Sequence, residues 1–262
     1  MPPKKQKTGT KRKQPEPEPP KEEDEVPFLR EIIPGGDVIL VVGPRKSKIQ
    51  LSSHLLRTTS PVFNAMLGPN FKEGTLLRES QGPVEIALPD DNAQALYNVY
   101  STLYGGHPDV NNLSVDEIYD ISILAQKYDL VDRLMFGCEA WFRTINKDTY
   151  GSIEEDWKML LAAYWLRSGL GFRNASRMLI QAEHEPLYKH GMETSDQVLG
   201  LRLCLAVQEV RMAGYTALGL CLSCFEDPET QEFTTRNLDL VALRHARDRK
   251  YGDVEPPCPG PQ

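Results

Sequence analysis

Cys221-x-x-Cys224 is the one pair in this sequence whose spacing matches a metal clip. A tetrahedral zinc site needs about four ligands, and no second Cys or His pair stands at a suitable distance. Leu218, Leu220, Leu222 and Phe225 flank the two thiols, so the spacing predicts buried helix cysteines rather than a metal centre. The histidines His54, His107, His184, His190 and His245 are scattered, with no His-x-x-x-His pair, and are expected at the surface. No Gly-rich phosphate loop and no nucleophile elbow is present, and Gly105-Gly106 reads as a turn. Trp157, Tyr164 and Trp165 recur at helical spacing, which predicts internal core before a cofactor or partner face. The expected chemistry is that of contact: no enzyme, no cofactor, no metal.

Composition narrows the class of partner. The net charge of −7 argues against a general nucleic-acid binder, because phosphate binding needs a basic face. No stretch reaches the roughly 18 uninterrupted apolar residues of a membrane span. The N-terminus is polar and lysine-rich without an apolar h-region, so it does not read as a secretory signal. The five cysteines, Cys138, Cys204, Cys221, Cys224 and Cys258, are sparse and odd in number. Reduced thiols in an intracellular protein, nuclear or cytoplasmic, are therefore expected.

The elements that must position any contact surface follow from turn signals and periodicity. Residues 1–27 hold almost nothing that can anchor a core and should form a tail. Its basic cluster, Lys4, Lys5, Lys7, Lys11, Arg12 and Lys13, is either a nuclear localisation signal or a solvated run. Residues 251–262 form a second tail, rich in proline. Between the tails, a first unit is expected over 28–146 and a helical extension over 147–250.

The first unit is expected to be α+β. Gly35-Gly36 precedes a β-branched run at 37–42, and the alternating 46–51 segment makes it a hairpin. Ser52 or Ser53 caps a short helix with Leu55 and Leu56. Ser60-Pro61 opens a second helix, with proline where its missing N–H costs nothing and with an apolar stripe of Val62, Phe63, Met66 and Leu67. A loop with Phe71 then leads to a third strand at 84–88. Residues 89–92 turn into a helix, and Ser114 with Glu117 has capping-box spacing for another. A further helix is expected from Leu130 to Ile145, with Leu134, Cys138, Trp141 and Phe142 on one face. In the extension, helices are expected around 153–165, around 172–179, over 196–225 (one, or two broken near Gly214) and around 233–249.

Five blocks in this order resemble the BTB/POZ family: GDVILVV, IQLSSHLLRTTSPVFNAML, NFKEG, VEIALPDDNAQALYNVYSTLYGG and EIYDISILAQKYDLVDRL. The likeness covers roughly residues 35–146 and implies a short three-stranded sheet capped by a helical cluster. It implies a protein-interaction scaffold that forms homodimers through a helical face near Leu55, Leu56 and Val62. Asp37 stands at the family's acid in the opening strand. Where many animal members carry His and a basic residue, this chain has Ser52 and Ser53, so the charged co-repressor pocket of zinc-finger members is not expected. The Ser-Ser-His-Leu-Leu version is similar to that of fungal members, which often end in a helical region. In BTB adaptors of cullin-based ubiquitin ligases a hydrophobic-x-Glu motif follows the Ser-Pro helix, and Phe71 and Glu73 fall at that place. The resemblance thus leaves a cullin adaptor as the alternative function. Transcriptional regulation, the third, rests on the basic N-terminal cluster alone.

Overall fold

The computed structural model describes residues 29–105, 112–144, 152–182, 186–213 and 219–228. The basic cluster Lys4, Lys5, Lys7, Lys11, Arg12 and Lys13 lies outside them, as do Gly214, Cys258, the 233–249 segment and His107, His184 and His245.

Strand β2 (Val38–Val42) alternates between full and partial burial, as its β-branched run predicts. Gly43 and Lys46, both at positive φ, close the turn into β3 (Ser47–Leu51), paired antiparallel from Val38↔Leu51 to Val42↔Ser47. On the other side of β2, β4 (Val84–Leu88) runs parallel to it, from Val38↔Val84 to Val42↔Leu88. The expected three strands become four, in the order β1-β3-β2-β4. The added edge strand, β1 (Leu29–Glu31), is too short to show alternation and takes its conformation from parallel pairing with β3. Its Arg30 donates to Gln94 Oε1 at 2.7 Å and lies over the Tyr97 ring.

Helix α1 (Ser53–Thr59) is capped by Ser52, and α2 (Pro61–Met66) by Ser60 with Pro61 at its first position. The expected loop after it is a helix instead, α3 (Lys72–Glu79). Its sequence, KEGTLLRE, has a glycine in the first turn and only two, adjacent, leucines, so tertiary contact decides the matter. A Cβ on Gly74 would stand 1.9 Å from the Gly68 carbonyl oxygen and 2.6 Å from that of Leu67. Glycine therefore lets α3 pack directly on the end of α2.

Asn92 caps α4 (Ala93–Tyr104), and the Ser114–Glu117 capping box forms at the start of α5 (Val115–Lys127). The single helix expected from Leu130 to Ile145 is broken. Asp129 turns to positive φ, a 3-10 turn follows at Val131–Arg133, and α6 spans Met135–Thr144. The detour swings Leu130 and Leu134 into the core, where Cys138, Trp141 and Phe142 join them.

The extension comprises α7 (Ile153–Trp165), α8 (Gly169–Gln181), α9 (Tyr188–Glu193), α10 (Gln197–Met212) and α11 (Leu222–Glu226). The six-residue α9 has no side-chain cap and was not expected from the sequence. It is held by close approach to α10: a Cβ on Gly200 would stand 2.2 Å from the Gly191 carbonyl oxygen. Trp157 is buried and donates to Thr194 Oγ1 at 3.1 Å, while Tyr164 and Trp165 are half-buried against the core. One hydrophobic cluster runs through both units. Across their junction Gln126 Nε2 donates to the Trp165 carbonyl at 2.5 Å, and Lys158 pairs with Asp116 at 2.8 Å. No helix among the described residues is long and apolar enough to cross a membrane.

Candidate interaction surface

Ser60 begins the construction of the exposed face. Its hydroxyl, fully buried, accepts from Phe63 N–H and donates to the Tyr128 carbonyl at 2.6 Å. One side chain thus caps α2 and ties it to the end of α5. Phe63 stacks on Tyr128 with ring centroids 4.5 Å apart and meets Tyr100 edge-on at 6.2 Å. The Tyr128 hydroxyl and Lys127 Nζ both donate to the Asp91 carboxylate, each at 2.6 Å. Burial and the adjacent Asp91 carboxylate hold the Tyr128 phenol well above its ordinary range. The Ser-Pro, Pro-Asp-Asp and Lys-Tyr segments therefore meet at one polar knot that fixes α2 on the core.

With α2 fixed inward through Phe63 and Leu67, the outer face of α1 and α2 presents His54, Arg57, Thr58, Val62 and Asn64. Arg57 Nε donates to Asn64 Oδ1 at 3.2 Å, linking the two helices. An open groove of about 410 Å³ runs here, lined by Ser53, His54, Arg57, Thr58 and Asn64. Of the three expected dimer residues, Val62 is exposed and Leu55 is half-buried, but Leu56 is wholly inside the core. On so short a helix the sequence alone does not tell which of two adjacent leucines turns inward. Leu56 is thereby corrected to a core residue.

Asp37 sits at the entry to this face. Its carboxylate accepts from Ser53 N–H at 2.6 Å and from Ser53 Oγ at 2.5 Å. A serine hydroxyl and a helix-end N–H thus satisfy the carboxylate. The carboxylate is turned to holding α1 rather than to offering charge.

Phe71 is 51% exposed at the N-cap of α3, and Glu73, half-buried, lies in the first turn. The turn's unpaired N–H groups favour an acid there. Because Gly74 presses on the end of α2, the aromatic ring and the acid hold a fixed position beside the α2 face rather than riding on a loop.

The remaining chemistry-bearing groups stay apart. Among the described residues, no three His, Cys, Asp or Glu side chains are grouped so as to hold a metal ion. Cys221 and Cys224, expected to be buried, are half-buried: Cys221 is the N-cap of the five-residue α11, whose inward positions are Leu222 and Phe225. Cys138 is buried, which pushes its thiol up to about 12. His54 is exposed, whereas His190 is half-buried beside Trp157, against the expected surface position.

Asp156, in the first turn of α7, is raised to about 6 by burial and then by neighbouring Glu155. An unfolded Asp titrates near about 3.9, so the native state binds this proton more tightly. Its contribution to stability is fully favourable below that value and is lost as pH rises to about 6. Asp156→Asn is therefore expected to raise stability at pH 7 by about 0.5–1 kcal/mol, allowing for solvent screening. Urea denaturation should show the gain shrinking toward zero by about pH 4.

No protein-family model matches this chain, and no curated protein matches it either.

Proposed function

We propose that this chain is a non-enzymatic protein-interaction scaffold of the BTB/POZ type that self-associates through the outer face of α1 and α2. The observation that carries the reading is the knot at Ser60. The separate sequence blocks that resemble the family, Ser-Pro-x-Phe, Leu-Pro-Asp-Asp and Lys-Tyr, are mutually bonded through Ser60, Phe63, Asp91, Lys127 and Tyr128. The outer face of α1 and α2 then carries Val62, 36% exposed, and Leu55, half-buried. Two differently tagged copies of the full chain are expected to co-purify at low micromolar concentration. Leu55→Glu/Val62→Glu should abolish the pairing, because two desolvated, unpaired carboxylates at an apolar contact are prohibitive. Co-purification unaffected by the double change would reject this face.

The exposure of Phe71 beside Glu73 favours a second reading, a substrate adaptor of a cullin-based ubiquitin ligase. An aromatic anchor with an acid at its rim suits a pocket on a helical partner. In a pull-down with a purified cullin, Phe71→Ala/Glu73→Ala is expected to lower retention at least tenfold. Absence of binding by the unsubstituted chain rejects the adaptor reading, and binding indifferent to the double change rejects this site.

A further inference from the structure

Cys221 and Cys224 take no part in the α1–α2 face, and they are the one cysteine pair three residues apart in the chain. Cys221 immediately precedes α11, and Cys224 is its third residue. Both are half-buried. Their backbone is already closed into one turn, because Phe225 N–H donates to the Cys221 carbonyl at 3.0 Å. Upstream, Leu220 N–H donates to Ser176 Oγ at 2.8 Å. Downstream, Arg202 donates to the Phe225 carbonyl at 2.8 Å, so both ends of the turn are pinned to neighbouring helices. With the turn closed, Cα atoms three positions apart stand about 5 Å from each other, within the roughly 4.4–6.8 Å that a disulfide spans.

Other helices of this chain show how far the side chain of the preceding residue reaches. The hydroxyls of Ser60, Ser114, Ser152 and Ser168 accept from the backbone N–H three places on at 3.1, 3.3, 3.2 and 3.1 Å. Cys221 makes no such bond, and its sulfur stands 3.6 Å from Ser223 Oγ. One rotation about χ1 carries that sulfur to the place the serine oxygens hold, over Cys224.

We propose that Cys221 and Cys224 form a reversible redox-modification site that reacts with a low-molecular-weight disulfide, for which glutathione disulfide is the probe. The Cys221 thiolate, to which the Ser223 hydroxyl can donate, attacks one sulfur of the probe. The probe's S–S bond breaks, a mixed disulfide forms at Cys221, and one glutathione thiolate leaves. Cys224 then loses its proton and attacks the Cys221 sulfur, and the second glutathione leaves as thiolate. The two thiol protons end on the two released glutathiones. The protein pair is oxidised by two electrons, and one glutathione disulfide is reduced to two glutathiones. Among the described residues, the other cysteines are poorly placed for this. Cys138 is buried, with its thiol pushed up to about 12, and Cys204 gives its hydrogen to the Leu187 carbonyl at 3.2 Å. Because the fold has ordered the turn beforehand, the folded chain favours the disulfide more than the unfolded chain does.

The full chain is equilibrated in graded glutathione buffers, with and without urea, then quenched by alkylation, digested and analysed by mass spectrometry. The peptide carrying both residues is expected to lose two hydrogens and to regain them with dithiothreitol. Half-oxidation is expected at a [GSH]²/[GSSG] value about tenfold or more higher in the folded chain than in urea. Cys224→Ser should instead hold glutathione on Cys221, and a variant that holds none would overturn Cys221 as the attacking thiol. An equal or lower value in the folded chain would overturn the proposal. So would no reaction at the pair, disulfide bridges between two chains, or glutathione left on either residue of the unsubstituted chain without an internal disulfide.

Discussion

Phe63→Ala is expected to cost about 3–5 kcal/mol. The side chain is fully buried, stacks on Tyr128 at 4.5 Å with planes 10° apart, and meets Tyr100 edge-on. Removing it loses the transfer energy of an aromatic ring and leaves a cavity between Tyr100 and Tyr128, the second of which Ser60 and Asp91 hold in place. Each lost ring contact adds about 0.5–1.5 kcal/mol beyond area. Against a typical domain stability of about 5–15 kcal/mol, the loss is large enough to unfold a marginal chain. Phe63→Leu, which keeps most of the volume, should cost markedly less. Urea denaturation followed by circular dichroism measures both. A cost below about 1 kcal/mol for Phe63→Ala, within the range of an exposed site, would mean that α2 is not anchored where the structure puts it.

The second large effect is expected at Asp91, whose side chain is only 5% exposed. Asp91→Ala leaves the Tyr128 hydroxyl buried without its acceptor and Lys127 without its ion-pair partner. Lys127 is 49% exposed, so water offsets part of its loss. The expected cost is about 2–4 kcal/mol, mostly from the stranded hydroxyl and the lost charged acceptor. Adding Tyr128→Phe should recover about 1 kcal/mol or more, because a group that is absent needs no partner. Strict additivity of the two changes would show that they do not share a bond. Neither variant should alter the exposed faces unless it unfolds the chain.

Much of the scaffold is legible because its signals are local. The alternation of residues 84–88, the Ser-Pro start of α2 and the Ser114–Glu117 box each announce themselves within a few residues. What stayed hidden depends on partners distant in sequence. Ser60 reads as a cap, but its bond to the Tyr128 carbonyl spans 68 residues. Asp91 reads as a turn residue, yet it serves as acceptor for two groups on another helix. Helix α3 carries only two leucines and strand β1 only three residues, and the Gly74 contact and the β3 edge supply what their sequences lack. Of the candidate contact residues, Val62 and Phe71 are exposed, while Leu56 is turned inward. On α10 the exposed Val198, Leu205 and Met212 lie among equally apolar core residues. Only burial separates the two sets.

Self-association through α1 and α2 is the claim on which the proposed function rests. Sedimentation equilibrium of the 262-residue chain at low micromolar concentration tests it most directly. The predicted result is a mass of twice 29.6 kDa for the unsubstituted protein and of a single chain for Leu55→Glu/Val62→Glu. A strict monomer of 29.6 kDa for the unsubstituted protein would contradict the account.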